Sequence, residues 1–165
     1  MERRMTKKVK VGNIFIGGDA PVSVQSMLNK PAHDFEASVK QAIELEKAGC
    51  QVIRGAIPDM DAVGLIPALK EAVRVPIVAD IHFDYRLAIE AVAAGVDKVR
   101  INPGNIGSDD RVKAVVDACR SKNIPIRTLI CSTMRAADSG TYSRQQSSRL
   151  VIMRTISRGV WNRSF

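Results

Sequence analysis

The sequence predicts an α/β protein built as the N-terminal half of a (β/α)8 TIM barrel. About five parallel strands and four helices are expected over residues 1–127, followed by an irregular tail over 128–165. Three observations carry this expectation. The stretch VADIHFDYRLAIEAVAAGVDKVRINPGNIG (78–107) reads as strand, loop, helix, strand, loop, the unit from which parallel sheets are wound. An internal repeat matches Ala48-Gly49-Cys50-Gln51-Val52-Ile53-Arg54 to Ala94-Gly95-Val96-Asp97-Lys98-Val99-Arg100, and a second echo matches Val75-Pro76-Ile77-Val78 to Ile124-Pro125-Ile126-Arg127. Polar residues also gather where strands should end, on the side where such barrels build their sites. An open doubly wound sheet is the alternative, weakened because no G-x-G-x-x-G follows any strand.

Taken in order, residues 1–8 form a polar lead-in. VKVGNIFIG (9–17) is expected to be a hairpin turning at Gly12-Asn13 and covering the bottom of the barrel. Residues 21–27 (PVSVQSM) alternate as a first barrel strand. Asp34 suits the N-cap of a helix that carries Phe35, Val39 and Ile43 on one face and stops at Gly49. Residues 61–73 are amphipathic, with Pro67 expected to kink or shorten the helix. Residues 84–94 place Leu87, Ala91 and Ala94 on one side. Ser108 is expected to cap a last helix, with Asp109 and Asp110 in its first turn and Val112, Val115, Val116 and Cys119 as its buried stripe. Val22, Val24, Ile53 and Val99 are expected on the inward faces of the strands.

The 165 residues suffice for one domain with a real core but are short for a closed barrel. A hydrophobic content of 45% with 25% charged residues indicates a soluble globular chain. Aromatics make up only 4%, which argues against a base-stacking nucleic-acid platform. No apolar run is long enough to span a bilayer, and the basic start lacks a signal-peptide core, so the cytoplasm is the default. Cys50, Cys119 and Cys131 lie far apart, which argues against a disulfide framework or a self-contained metal site. Residues 128–165 hold six arginines, one acid (Asp138) and no lysine, and supply +5 of the +8 net charge. Their periodicity also stops, and the expectation is that a reading-frame shift replaced the evolved continuation.

The candidate chemistry lies at strand ends. Asp80 and His82 are spaced i, i+2, as are Arg100 and Asn102, so each pair projects from one face of an extended chain. Arg54, Arg100 and Arg127 are expected to end the second, fourth and fifth parallel strands. Three guanidinium forks converging on one mouth suit phosphate oxygens. His82, with Asp80 as its orienting partner, is a candidate to move a proton near neutral pH. Asn102 precedes Pro103-Gly104-Asn105, a tight loop, and serves equally as a turn former.

VADIHFDYRLA followed by VRINPGNIG, with VQSM upstream and IPIR downstream, closely resembles the 4-hydroxy-3-methylbut-2-enyl diphosphate synthase family of non-mevalonate isoprenoid biosynthesis. The resemblance covers about residues 8–127. It implies a TIM-barrel domain that binds 2-C-methyl-D-erythritol 2,4-cyclodiphosphate. It implies a separate C-terminal domain with a [4Fe-4S] cluster on three cysteines and a glutamate, flavodoxin or ferredoxin as electron donor, and a homodimer. By motif, Arg54, Arg100, Asn102 and Arg127 are implied substrate contacts and Asp80 and His82 the catalytic pair. Leu28 replaces the family's threonine after QSM, and Thr128-Leu129-Ile130 replaces its glycine-valine-asparagine segment. The implied cluster ligands are absent, so the chain as given is expected to bind no cluster and not to turn over. A pterin-binding barrel of dihydropteroate synthase type and a basic RNA- or membrane-binding module are the competing readings.

Overall fold

A computed structural model describes residues 6–128. The remainder of the tail (129–165) and its six arginines lie outside the described residues.

Strands β1 (Val9–Val11) and β2 (Ile14–Ile16) pair antiparallel about Gly12-Asn13, as the alternation predicts. The five barrel strands follow with their helices. They are β3 (Gln25–Met27), α1 (Phe35–Lys47), β4 (Val52–Ala56), α2 (Leu65–Ala72), β5 (Ile77–Ile81), α3 (Tyr85–Ala93), β6 (Lys98–Ile101), α4 (Pro103–Ile106), α5 (Asp109–Ser121) and β7 (Ile126–Thr128). All four strand pairs are parallel, and their order in the sheet is β3-β4-β5-β6-β7. A doubly wound sheet reverses strand order partway, and this one does not. The winding is that of a barrel. Thr128 ends β7, one residue beyond the boundary expected from the sequence.

The hairpin seals the N-terminal end. Gly12 sits at φ +54°, and a Cβ there would lie 2.9 Å from Pro76 and 3.1 Å from Asp97, at the entrances of β5 and β6. Asn13 donates from its amide to the Arg74 carbonyl. The repeat is structural as well: Gly49 and Gly95 end α1 and α3 with φ +90° and +89°, each leading into a strand.

The main core lies between the sheet and its helices, and it corrects the expected facing of two residues. Ile53 and Val99 are fully buried in that core with Leu65, Leu69, Leu87 and Val115, and so point away from the barrel interior. Side chains alternate along a strand, and the neighbours Arg54 and Arg100 occupy the inner face. Val22 and Val24 are exposed, because the first barrel strand is only three residues long and begins after them.

The helices differ from expectation in detail. The segment 61–73 divides into a 3-10 turn (Asp61–Gly64) and α2, with Pro67 in the first helical turn where its missing N–H costs least. On α1 the fully buried residues are Ser38 and Ala42, while Phe35, Val39 and Ile43 are half-buried and line a groove of about 530 Å3. Asp34 and Asp84 cap α1 and α3 with their carboxylates. Ser108 occupies the N-cap of α5 but makes no side-chain cap bond, so the acids of the first turn serve that end. The α5 stripe of Val112, Val115, Val116 and Cys119 is buried as expected. Among the described residues no helix is long and apolar enough to cross a membrane.

Candidate active site

Strand register builds the site. One row across the sheet runs Ala56, Asp80, Arg100, Arg127, and the row below it runs Met27, Arg54, Val78, Lys98. These residues share the inner face by strand alternation. Arg54 and Arg127 lie mid-strand rather than at strand ends, and Arg100 is one residue short of the end of β6.

Asp80 is the hub. Its side chain is 2% exposed, and one carboxylate oxygen accepts a hydrogen bond from Arg100 Nη1. The other oxygen lies 3.5 Å from Arg54 Nε and 3.7 Å from His82 Nε2. A buried carboxylate is stable as an anion only with such partners. Arg54 Nε is buried with no hydrogen-bond acceptor, while its Nη2 meets Met27 Sδ at 3.0 Å. The Arg127 guanidinium holds its proton less tightly than an ordinary arginine, through burial first and then the charges of Arg100 and Arg54, with Asp80 opposing. Three guanidiniums thus surround one carboxylate, and the excess positive charge attracts an anion.

His82 follows β5 and is half-exposed, so its imidazole reaches both Asp80 and solvent. Asn102 caps α4, and its side-chain oxygen accepts the Gly104 N–H at 3.2 Å. Its turn-forming role is therefore real. Two features escaped the sequence reading. Lys98 lies two residues before Arg100, the same spacing that pairs Arg100 with Asn102. His33 and Asp59 join the loops after β3 and β4 through a 3.0 Å contact, and nothing in their spacing announces it.

The described residues do not fit an iron–sulfur cluster. Cys50 and Cys119 are buried in the helix-side core, and burial pushes the Cys119 thiol up to about 12, far from the thiolate such a cluster needs. Among the described residues no group of three or more His, Cys, Asp or Glu side chains is placed to hold a metal ion.

The GcpE TIM-barrel domain family matches residues 6–149 of the sequence. The chain belongs to this family. Among GcpE relatives, the 4-hydroxy-3-methylbut-2-en-1-yl diphosphate synthase (flavodoxin) of Clostridium perfringens is 57% identical over 127 residues, covering 77% of this chain and 36% of the relative. The protein of the same name from Azotobacter vinelandii is 54% identical over 127 residues, covering 77% and 34%. The chain therefore spans about a third of the length of these GcpE relatives. Among solved structures it resembles the dihydropteroate synthase of Yersinia pestis, with a TM-score of 0.64 at 15% identity over 93% of this chain and 59% of that one. The Burkholderia cenocepacia dihydropteroate synthase complexed with 7,8-dihydropteroate gives 0.62 at 16%, covering 93% and 60%. At such identities the likeness is one of barrel fold and carries no pterin chemistry to the GcpE site.

Proposed function

We propose that this chain is the substrate-binding part of a reductive synthase that converts 2-C-methyl-D-erythritol 2,4-cyclodiphosphate to 4-hydroxy-3-methylbut-2-enyl diphosphate. The observation that carries the reading is the cluster of Arg54, Arg100 and Arg127 around Asp80 on the inner face of a GcpE barrel. In this role the guanidiniums grip the diphosphate oxygens. Asp80 fixes Arg100 and Arg54 in orientation and keeps their charge from repelling the fold apart. His82, half-exposed beside Asp80, hands a proton to a departing substrate oxygen. The Asn102 amide donates to a substrate oxygen at the mouth.

The relatives' name points to flavodoxin as electron donor, with ferredoxin as the alternative. The [4Fe-4S] cluster, the homodimer and the cytoplasmic location belong to the proposed full-length enzyme. When bound, that cluster would supply the electrons for the reductive step. The proposed barrel unit spans 1–127 and the Arg/Ser-rich segment 128–165 is its frame-shifted replacement, supported by the charge and periodicity change. Translating the alternative frames downstream of the Arg127 codon decides it.

Calorimetric titration of the chain with the cyclic diphosphate and with a pterin diphosphate tests the reading. Saturable binding of the first in preference to the second is expected. Preference for the pterin would replace this function with that of a pterin-binding barrel.

A further inference from the structure

Lys98 is only 6% exposed, and among the described residues no hydrogen bond or ion pair holds its ammonium, whose nitrogen keeps only residual contact with solvent. Taking such a charge out of water is costly, and buried lysines are ordinarily paired. Its position is specific. In the lower register row Lys98 and Arg54 flank Val78, two strand spacings or about 10 Å apart. In the upper row Asp80 and Arg100 stand beside each other, with Arg127 next to Arg100. The charged groups on the flanking strands are therefore Asp80 and Arg127, with Arg54 one strand further away and Arg100 and Asp97 on its own stretch. Asp97 is occupied elsewhere, by Lys70 and by the Ile77 N–H. Asp80 is taken by the arginines. Four cationic side chains thus face the same inner surface as Asp80, and Lys98, which shares the lower row with Arg54, has no counter-charge among the described residues.

We propose that Lys98 is a further anion-contacting residue of this site, holding with Arg54 the phosphoryl oxygens that enter deepest while Arg100 and Arg127 grip those nearer the mouth. The proposal rests on the diphosphate-binding reading above. It also accounts for an arrangement that the fold alone does not favour: burial and then the Arg127 charge push the amine down to about 8. An arriving anion opposes that push and makes the amine hold its proton more tightly.

Nuclear magnetic resonance of the full chain labelled with 13C at lysine Cε, titrated with inorganic pyrophosphate, reads this group directly. With saturating pyrophosphate the Lys98 midpoint should rise by at least one pH unit, and Lys98→Arg identifies the resonance. Lys98→Met should weaken pyrophosphate binding about ten- to hundredfold, the loss of one charged hydrogen bond, while Lys98→Arg retains most of it. Tight binding with an unmoved Lys98 midpoint, or with unchanged affinity in Lys98→Met, overturns the proposal and leaves the arginine site standing. Failure of the unaltered chain to bind pyrophosphate at all overturns the diphosphate reading itself, and this inference with it.

Discussion

Asp80 holds two guanidiniums from a position that water scarcely reaches, so its charge matters to folding as well as to binding. Removing one member of such a buried ionic group leaves the others uncompensated, at a cost of about 3–5 kcal/mol. Urea unfolding of Asp80→Asn should show a loss of that order; an unchanged midpoint would mean that the arginines do not depend on it. Lys98 gives the opposite sign. Its amine titrates near 8 in the folded chain against an ordinary 10.5, so between these values the unfolded chain binds more protons. The stability penalty is full below pH 8 and gone above 10.5, and stability climbs across that window by roughly 3 kcal/mol at most. Unfolding curves of the wild-type chain and Lys98→Met from pH 7 to 10.5 check this. The variant should be the more stable at pH 7 and should lack the rise. Parallel curves would refute the burial of a charged Lys98. Asp80 and Arg100 were legible because the i, i+2 rule picked out their faces, and Arg54 because the internal repeat matches it to Arg100. Lys98 obeys the same rule one step earlier along β6, but a lysine at the start of a strand reads as solvated until the register shows what it faces.

At the scale of elements, the hairpin is the piece whose fit depends most on one residue. Gly12 combines a left-handed φ with close approach to Pro76 and Asp97. Gly12→Ala should cost about 1–2 kcal/mol and loosen β1 and β2 ahead of the barrel strands. Amide hydrogen exchange should show faster exchange at Val9 and Val11 with β5 and β6 unchanged. Uniform slowing or no change would mean that the hairpin is not seated there. The hairpin, the repeat and the α5 stripe were readable because each rests on local chemistry: a Gly-Asn turn, a glycine after each helix, a 3.6-residue period. The facing of Ile53 and Val99 was misread for the opposite reason. Val, Ile and Arg alternate in strands buried on both sides, so hydrophobicity alone does not say which face meets the helices. The division between Gly64 and Leu65 and the one-turn α4 depend on how loops close over the sheet, which the periodicity does not encode.

In the whole molecule, five parallel strands in sequential order place every inner-face cation on one concave surface, which is how residues far apart in sequence come to share one anion. Among the described residues β3 and β7 each have one parallel neighbour, and the α1 groove presents Phe35, Val39 and Ile43 to its surroundings. Open strand edges and an apolar helix face both favour association. The 165-residue chain is therefore expected to self-associate in light scattering. A monodisperse monomer with several kcal/mol of stability would show that these edges are protected. The most direct test of the anion site is 31P nuclear magnetic resonance of the cyclic diphosphate titrated with the chain and with its Arg54→Ala and Arg100→Ala variants. Both phosphorus resonances should shift saturably with the unaltered chain, and each variant should bind about ten- to hundredfold more weakly, the loss of about 1.5–3 kcal/mol per charged hydrogen bond. Identical titrations for the chain and both variants would place the diphosphate somewhere other than the Asp80-centred cluster.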